Sequence, residues 1–439
     1  MASRNETADI PLSLIGDYPD CWETSTLGEA CSLVTDGTHD SPKETQTGFP
    51  LVTGRCITGG RINLKAAYLI SEKDHKEVVA RSKPEFGDIL FANIGNSIGE
   101  MARVETNAEF SIKNVALFKP GPRLESLFLK YYLRSTPVQS FIRGNTFGSA
   151  QPFVGLGTLR AFPIPLPPLA EQKAIASILG CLEDKIELNR RMNATLEAMA
   201  RALFQSWFVD FDPVRAKLDG RPPVGLDPAT AALFPDSFQD SELGHIPNGW
   251  RVGSIGDFGA NPRRGLQPKD IPPNTAYIAL DHRPRLSIAL SEWDESAEVE
   301  SGKSAFNRGE ILFGKLRPYF HKVGVAPVDG VCSTDILVLT PKSWEWFGLL
   351  LGHVTSDELI SFTDLASTGT KMPRTNWTDI SRFKVSIPNA PIAAEYTRMI
   401  QPLIEHVISN LHESRTLAAL RDTLLPKLLS GEIRVGQAE

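Results

Sequence analysis

Gly87-Asp88-Ile89-Leu90-Phe91 and Gly309-Glu310-Ile311-Leu312-Phe313 are one five-residue pattern written twice, 222 residues apart. The run Ser111 to Leu117 lines up with Ser333 to Leu339 at the same offset. Gly148-x-x-x-Pro152 then answers Gly369-x-x-x-Pro373, and the run Phe162 to Pro167 answers Phe383 to Pro388, with the order preserved throughout. A period of about 220 residues is far longer than that of solenoid repeats, so whole modules are duplicated. Each copy holds short apolar runs broken by Gly, Pro, Asn and Asp, which predicts an irregular, mostly antiparallel β arrangement with a few helices.

A long helix is expected after each copy. Pro167-Pro168 stops the preceding segment and opens a helix, and residues 171–208 contain no proline and one glycine, Gly180. Ile175, Leu182, Asn189, Leu196 and Leu203 recur every seven residues, with Ile178, Met192 and Met199 on the adjoining row. That is coiled-coil spacing. Asn189 in this row either fixes the register or faces solvent on an ordinary amphipathic helix. The second helix, over 393–429, repeats the stripe with Ile404, Leu411, Ala418 and Leu425 beside Ile400, Val407 and Leu428. Pro402 kinks it or marks its start, and Gly431 ends it. Between the copies a Pro-, Gly- and Asp-rich stretch reads as a partly ordered connector, with Phe208, Phe211, Leu233, Phe234 and Phe238 as apolar anchors. The parse is a first module over 1–165, helix over 166–209, connector over 210–242, second module over 243–388 and helix over 389–439. The fold class is α+β, a pseudo-two-fold duplication whose two helices pack as an antiparallel coiled coil.

Length and composition agree with several folded units: 439 residues, 41% hydrophobic and 22% charged, suit about three domains of ordinary soluble protein. No apolar run approaches the ~20 residues that cross a bilayer, and the polar start from Met1 to Asp9 does not resemble a signal peptide, so a cytoplasmic location without membrane contact is expected. Cys21, Cys31, Cys56, Cys181 and Cys332 are scattered and lack a CxxC pair, which predicts reduced, mostly buried thiols and no metal site. The net charge of −6 gives no help to a polyanion partner. Lys plus Arg balance Asp plus Glu at 16 each over 13–165 and again over 243–388, so any basic face must come from local segregation.

Two helices packed antiparallel would carry their N-terminal modules at opposite ends. A helix of ~36 residues is about 54 Å long, or on the order of fifteen base pairs of duplex. Such heads suit two short sequences separated by unread DNA. The stretches Ile164-Pro-Leu-Pro-Pro-Leu-Ala-Glu-Gln-Lys-Ala-Ile-Ala176, Trp207-Phe-Val-Asp-Phe-Asp-Pro213 and Leu420-Arg-Asp-Thr-Leu-Leu-Pro-Lys-Leu-Leu-Ser-Gly-Glu-Ile433 resemble the conserved regions of type I restriction-modification specificity subunits. Asp36-Gly37-Thr38-His39 with Gly87-Asp88-Ile89-Leu90 is similar to a target-recognition-domain pattern of that family, whereas the second module has Asn261-Pro262-Arg263-Arg264-Gly265 instead. The resemblance implies two target-recognition domains, each reading half of an asymmetric double-stranded DNA site. It also implies that the chain is non-catalytic and holds no cofactor. Two methyltransferase subunits and restriction subunits would dock on it and supply S-adenosylmethionine-dependent methylation and ATP- and Mg²⁺-dependent cleavage.

Major-groove reading needs Arg, Lys, Asn or Gln aimed at base edges from loops. In the first module the candidates are Thr38, His39, Lys43, Asn93, Asn96, Arg143, Asn145 and Gln151. In the second they are Arg263, Arg264, Lys269, Lys315, Arg317, Lys371, Arg374 and Asn376. For each, a solvated surface position is the plain alternative. Ala297-x-x-x-x-Gly302-Lys303-Ser304 satisfies a relaxed phosphate-loop pattern, but it follows an acidic stretch and lacks the first glycine. No GxGxxG fingerprint follows a strand. His39 near Asp36 and Asp40 lacks a nucleophile tied to it by spacing and suits a turn or DNA contact better than acid-base chemistry. The rivals are a self-contained nuclease or methyltransferase, and a two-headed scaffold for proteins.

Overall fold

Alternation within the repeated pentapeptide sets the layering of each module. Successive strand residues face opposite sides, so one three-residue strand can feed two cores. Ile89 and Phe91 enter one core with Phe118, while Leu90 joins a second with Ala102, Ile112 and Leu117. In the other copy Ile311 and Phe313 enter one core with Leu337 and Leu339, and Leu312 joins Ile336 and Val338 in a second. The structure is a computed structural model and describes residues 18–146, 152–296, 300–367 and 372–435.

Two compact units result, one from residues 1–184 and 418–439, the other from 185–417. In the first, Cys31–Asp36, Ala116–Pro120, Ile89–Phe91 and Met101–Arg103 form an antiparallel sheet in that order. A smaller sheet holds Tyr68–Ile70, Phe49–Val52 and Ser111–Ile112, the last two parallel. In the second unit Gly259–Ala260, Ile336–Pro341, Ile311–Gly314 and Val323–Val325 repeat the first sheet. A five-stranded sheet repeats the second, again with one parallel pair, Ala276–Ile278 with Gly330–Cys332. Each module also opens with a strand and a capping box, at Thr26 and Ser254, and closes by pairing that strand with Pro163–Leu166 or Lys384–Ile387.

The long helices run over Leu169–Phe204 and Ala390–Leu429. Within the first unit Ile175 and Leu179 share a core with Leu428 and Leu429, and Glu171 holds Arg434 at 2.6 Å. Within the second, Asn189 donates to Glu413 at 2.8 Å, Asn410 to Asn193 at 2.8 Å, and the Tyr396 hydroxyl to the Ala200 carbonyl at 3.1 Å. Partners fall in number on one helix as they rise on the other, so the pairing is antiparallel. Asn189 is fully buried and bonded across the pair, which makes it a register residue.

The second stripe differs from the expectation. Ile178 and Met199 are exposed, and the buried row beside Ile175 and Asn189 is Leu179, Asn193 and Ala200, four residues on instead of three. Both rows flank the first. Ala200 is small enough for Tyr396 to close onto its carbonyl, and that contact decides which side turns inward. The second helix starts at Ala390 and runs through Pro402, which lies on its exposed face. Gly431, at φ +75°, takes the left-handed position after its end.

The connector is ordered into helices Asp212–Leu218 and Pro228–Leu233 and the strand Phe238–Ser241, which pairs with Gly244–Pro247. Phe208 and Phe234 sit in the core of the second unit, with Phe211, Leu233 and Phe238 packed against it. All five cysteines are free; Cys31, Cys56 and Cys332 are buried, and Cys21 and Cys181 are exposed. Lys303 and Ser304 lie in the strand Lys303–Phe306, not at a helix start, which removes the phosphate-loop geometry; Ala297 lies outside the described residues.

Candidate nucleic-acid interface

In both modules the chain beyond the pentapeptide strand is clamped by the segment leading to the closing strand, and the clamps match atom for atom. Gly95 N–H donates to Pro152 O at 2.8 Å and Val154 N–H to Asn93 O at 2.8 Å. In the second copy Arg317 N–H donates to Pro373 O at 2.8 Å and Thr375 N–H to Lys315 O at 3.0 Å. Two bridges, Ile94 with Phe153 and Leu316 with Arg374, sit inside these pairs. In the Gly-x-x-x-Pro loops, residues 148–151 with Gln151 and 369–371 with Lys371 lie outside the described residues.

The second module gathers its cations in one groove. Asn261, Arg263, Arg264, Lys315, Asn376 and Trp377 line it. Arg264 is tied to Glu310, Arg374 to Asp335 at 2.8 Å, and the Lys315 ammonium to Thr334 O at 2.5 Å. Burial lowers the affinity of Lys315 for its proton; Asp335 opposes this, and the nearby positive charges of Arg374 and Arg263 add to it. Three cations within Coulomb reach of one another, with a single carboxylate among them, leave the corner short of negative charge. Arg263 is exposed and Arg317 half-buried, and both stand in the left-handed region, at φ +48° and +49°. Lys269 is exposed in a short turn, Pro268–Asp270.

The first module is built differently at the matching loop. Gly37 lies so close to Ile112 O that a β-carbon would fall 2.0 Å from it, so only glycine fits. Gly37 and Thr38 donate to Val115 O and Ile112 O, and Asn114, at φ +53°, donates back to Thr38 O. His39 bridges Asn114 Oδ1 at 2.9 Å and the buried Asp36 at 3.0 Å, while Arg81 reaches Asp36 from a helix, Glu72–Ser82. Lys113 donates to Ser41 at 2.5 Å. A groove beside this loop carries Arg81 with Asp40, Asp74 and Glu77. Lys43 and Asn96 are exposed, and Arg143 is exposed in the last turn of Thr136–Gly144.

Several expected contacts already have work inside the fold. Asn93 is buried, its amide donating to Val154 O at 3.2 Å, so it holds the clamp and does not face a ligand. Asn145 caps its helix by donating to Phe141 O at 2.9 Å. Asn376 is an N-cap, accepting from Asp379 N–H at 3.1 Å and donating to that carboxylate at 2.6 Å. Thr38 Oγ1 accepts from Asp40 N–H. Arg81, Lys113, Asn114 and Asp335 were missed. Only position 335 carried a signal: it aligns with Lys113 at the repeat offset, an acid in one copy opposite a base in the other.

Two loop-bearing modules of one design are thus carried on an antiparallel helix pair. A sequence model described as "Type I restriction modification DNA specificity domain" matches residues 19–198. The chain is similar to the type I restriction enzyme MjaIX specificity subunit of Methanocaldococcus jannaschii, at 26% identity over 447 residues, 96% of this chain and 95% of that one. It is also similar to the EcoDI specificity subunit of Escherichia coli, at 28% identity over 367 residues, 74% and 80% of the two chains. Among solved structures, the type I restriction-modification S subunit from M. genitalium shares the fold at 14% identity, with a TM-score of 0.57 over 93% of this chain and 96% of that one. The sequence model and these relatives agree in what the chain is similar to, the specificity subunits of type I restriction enzymes.

Proposed function

We propose that this chain is the DNA-reading subunit of a type I restriction-modification complex, with each module reading one half of an asymmetric bipartite double-stranded site. The observation that carries the reading is the repeated clamp: two copies of one fold fasten turns of different composition, residues 93–96 and 315–318, with the same backbone bonds. The fold is conserved between copies while the side chains diverge, as expected where two unlike base sequences are read from one scaffold. The contact set is Thr38, His39, Lys43, Asn96, Arg143 and Gln151 with Arg81 and Lys113 in the first module. In the second it is Arg263, Lys269, Lys315, Arg317, Lys371 and Arg374. Arg264 and Asn376 support that set from their ion pair and cap.

The functional parse keeps modules at 1–165 and 243–388, helical regions at 166–209 and 389–439, and the connector between. The chain itself is non-catalytic and works in the cytoplasm, where two methyltransferase subunits dock on the helical regions and restriction subunits complete the complex. S-adenosylmethionine, ATP and Mg²⁺ are used by those partners. No helix among the described residues is long and apolar enough to cross a membrane.

Gel-shift titration of the chain, with and without its methyltransferase subunits, against random and genomic duplexes tests the reading. Selection of one two-part sequence is expected. Equal binding to every duplex, or none with partners present, would leave the protein-scaffold rival standing. Methylation or cleavage by the pure chain given Mg²⁺ and S-adenosylmethionine would instead favour the self-contained enzyme.

A further inference from the structure

We propose that Arg317 is a specificity-determining residue of the second module and reads a guanine through a two-point guanidinium contact. The inference rests on the DNA-reading function above and assigns chemistry to one of its loops. The clamp needs a left-handed residue at this turn: Gly95 supplies it in the first module at φ +83°, and Arg317 in the second at φ +49°. Both make the same 2.8 Å bond to a proline carbonyl. Glycine therefore satisfies the fold, and a long side chain kept there at a conformational cost has a use outside the fold.

That side chain is also unspent. Arg264 and Arg374 hold carboxylates, and Lys315 holds a carbonyl. Among the described residues no carboxylate lies within ion-pair distance of Arg317, and its Nε is buried without a hydrogen-bond partner. Its guanidinium stands 5.8 Å from the Phe320 ring, against which Arg285 also packs, at 3.8 Å. Two guanidinium groups at one ring call for an acceptor-rich partner, and duplex DNA supplies two kinds. A phosphate takes any cation in any orientation, so a lysine from an unstrained position would serve it. A guanine edge offers O6 and N7 as adjacent acceptors and rewards a planar fork held in one orientation. A fixed backbone turn and an aromatic neighbour provide that orientation, which favours the base.

The test uses the full chain assembled with its own methyltransferase subunits and a pool of random duplexes, comparing wild type, Arg317→Gly and Arg317→Lys. Wild type is expected to select two half-sites. Arg317→Gly should keep the first half-site, lose preference at one G·C pair of the second, and bind the wild-type consensus roughly 10- to 100-fold more weakly. Arg317→Lys should lose the same preference. The retained first half-site reports that the variant is folded; if the glycine variant misfolds, the lysine variant decides alone. An unchanged consensus in both variants overturns the inference, as does uniform weakening of all duplexes that lysine restores, which marks a phosphate contact. A wild type that selects nothing sinks the DNA-reading function, and this inference with it.

Discussion

Burial of His353 in the helix Phe347–Val354 leaves its Nε2 without a partner and sets its ring edge-on to Phe204 at 4.9 Å. Burial pushes its pKa from 6.5 down to about 3. For a base with a depressed folded pKa, the unfolded chain binds the proton first, so stability is lost as pH falls from about 6.5 towards 3. Two pH units below 6.5 cost the folded state about 3 kcal/mol at 1.36 kcal/mol per unit. Urea midpoints at pH 7 and pH 4.5 should therefore move further apart in wild type than in His353→Leu, and equal shifts would refute the assignment. Single residues are also where the sequence was least legible. Asn93, Asn145 and Asn376 share the side chain of a base reader, yet they serve the clamp and two helix ends. An amide's partner depends on which backbone groups the fold leaves orphaned, and no local pattern reveals that.

Along the helix pair, the seven-residue period was legible because it follows from helix geometry alone. The side on which the second row lies was not, since it depends on the partner strand of the coil. Ala200 is unremarkable in a list of apolar residues and decisive once Tyr396 meets it. The buried Asn410 to Asn193 bond allows a separate check. Asn410→Leu should destabilise the second unit by about 1–3 kcal/mol by leaving the Asn193 oxygen buried and unpaired, while adding Asn193→Leu should recover most of the loss. Denaturant midpoints of the two singles and the double form the cycle, and additive losses would show that the bond is not coupled. If the helices set the gap between half-sites, one extra heptad in each, placed in register beside Asn189 and Asn410, should widen the unread sequence by on the order of three base pairs. Both half-sites should persist in duplex selection; an unchanged gap would remove the helices from that role.

At the scale of the whole chain the duplication was readable because glycines and strand residues at the pentapeptide are dictated by backbone geometry, which both copies must satisfy. Charge was not readable there. Equal totals in the two modules concealed a second module that gathers Arg263, Arg264 and Lys315 in one groove with Arg374 close to Lys315, and a first that mixes Arg81 with three carboxylates. The modular reading predicts that transplanting residues 13–165 from a relative changes one half of the recognised sequence and leaves the other. Methylome sequencing of hosts carrying the parent and the chimaera would show it, and a change in both halves would defeat the modularity.

The core around Ile175 and Leu179 is completed by Leu428 and Leu429, and Glu171 meets Arg434. The second unit, by contrast, is made of residues 185–417. On a ribosome the portion made first must therefore wait with an open apolar face until residues 418–435 have emerged, while the portion made later can close ahead of it. Nascent chains stalled near residue 417 should present a protease-resistant later half and an early half that chaperones still hold.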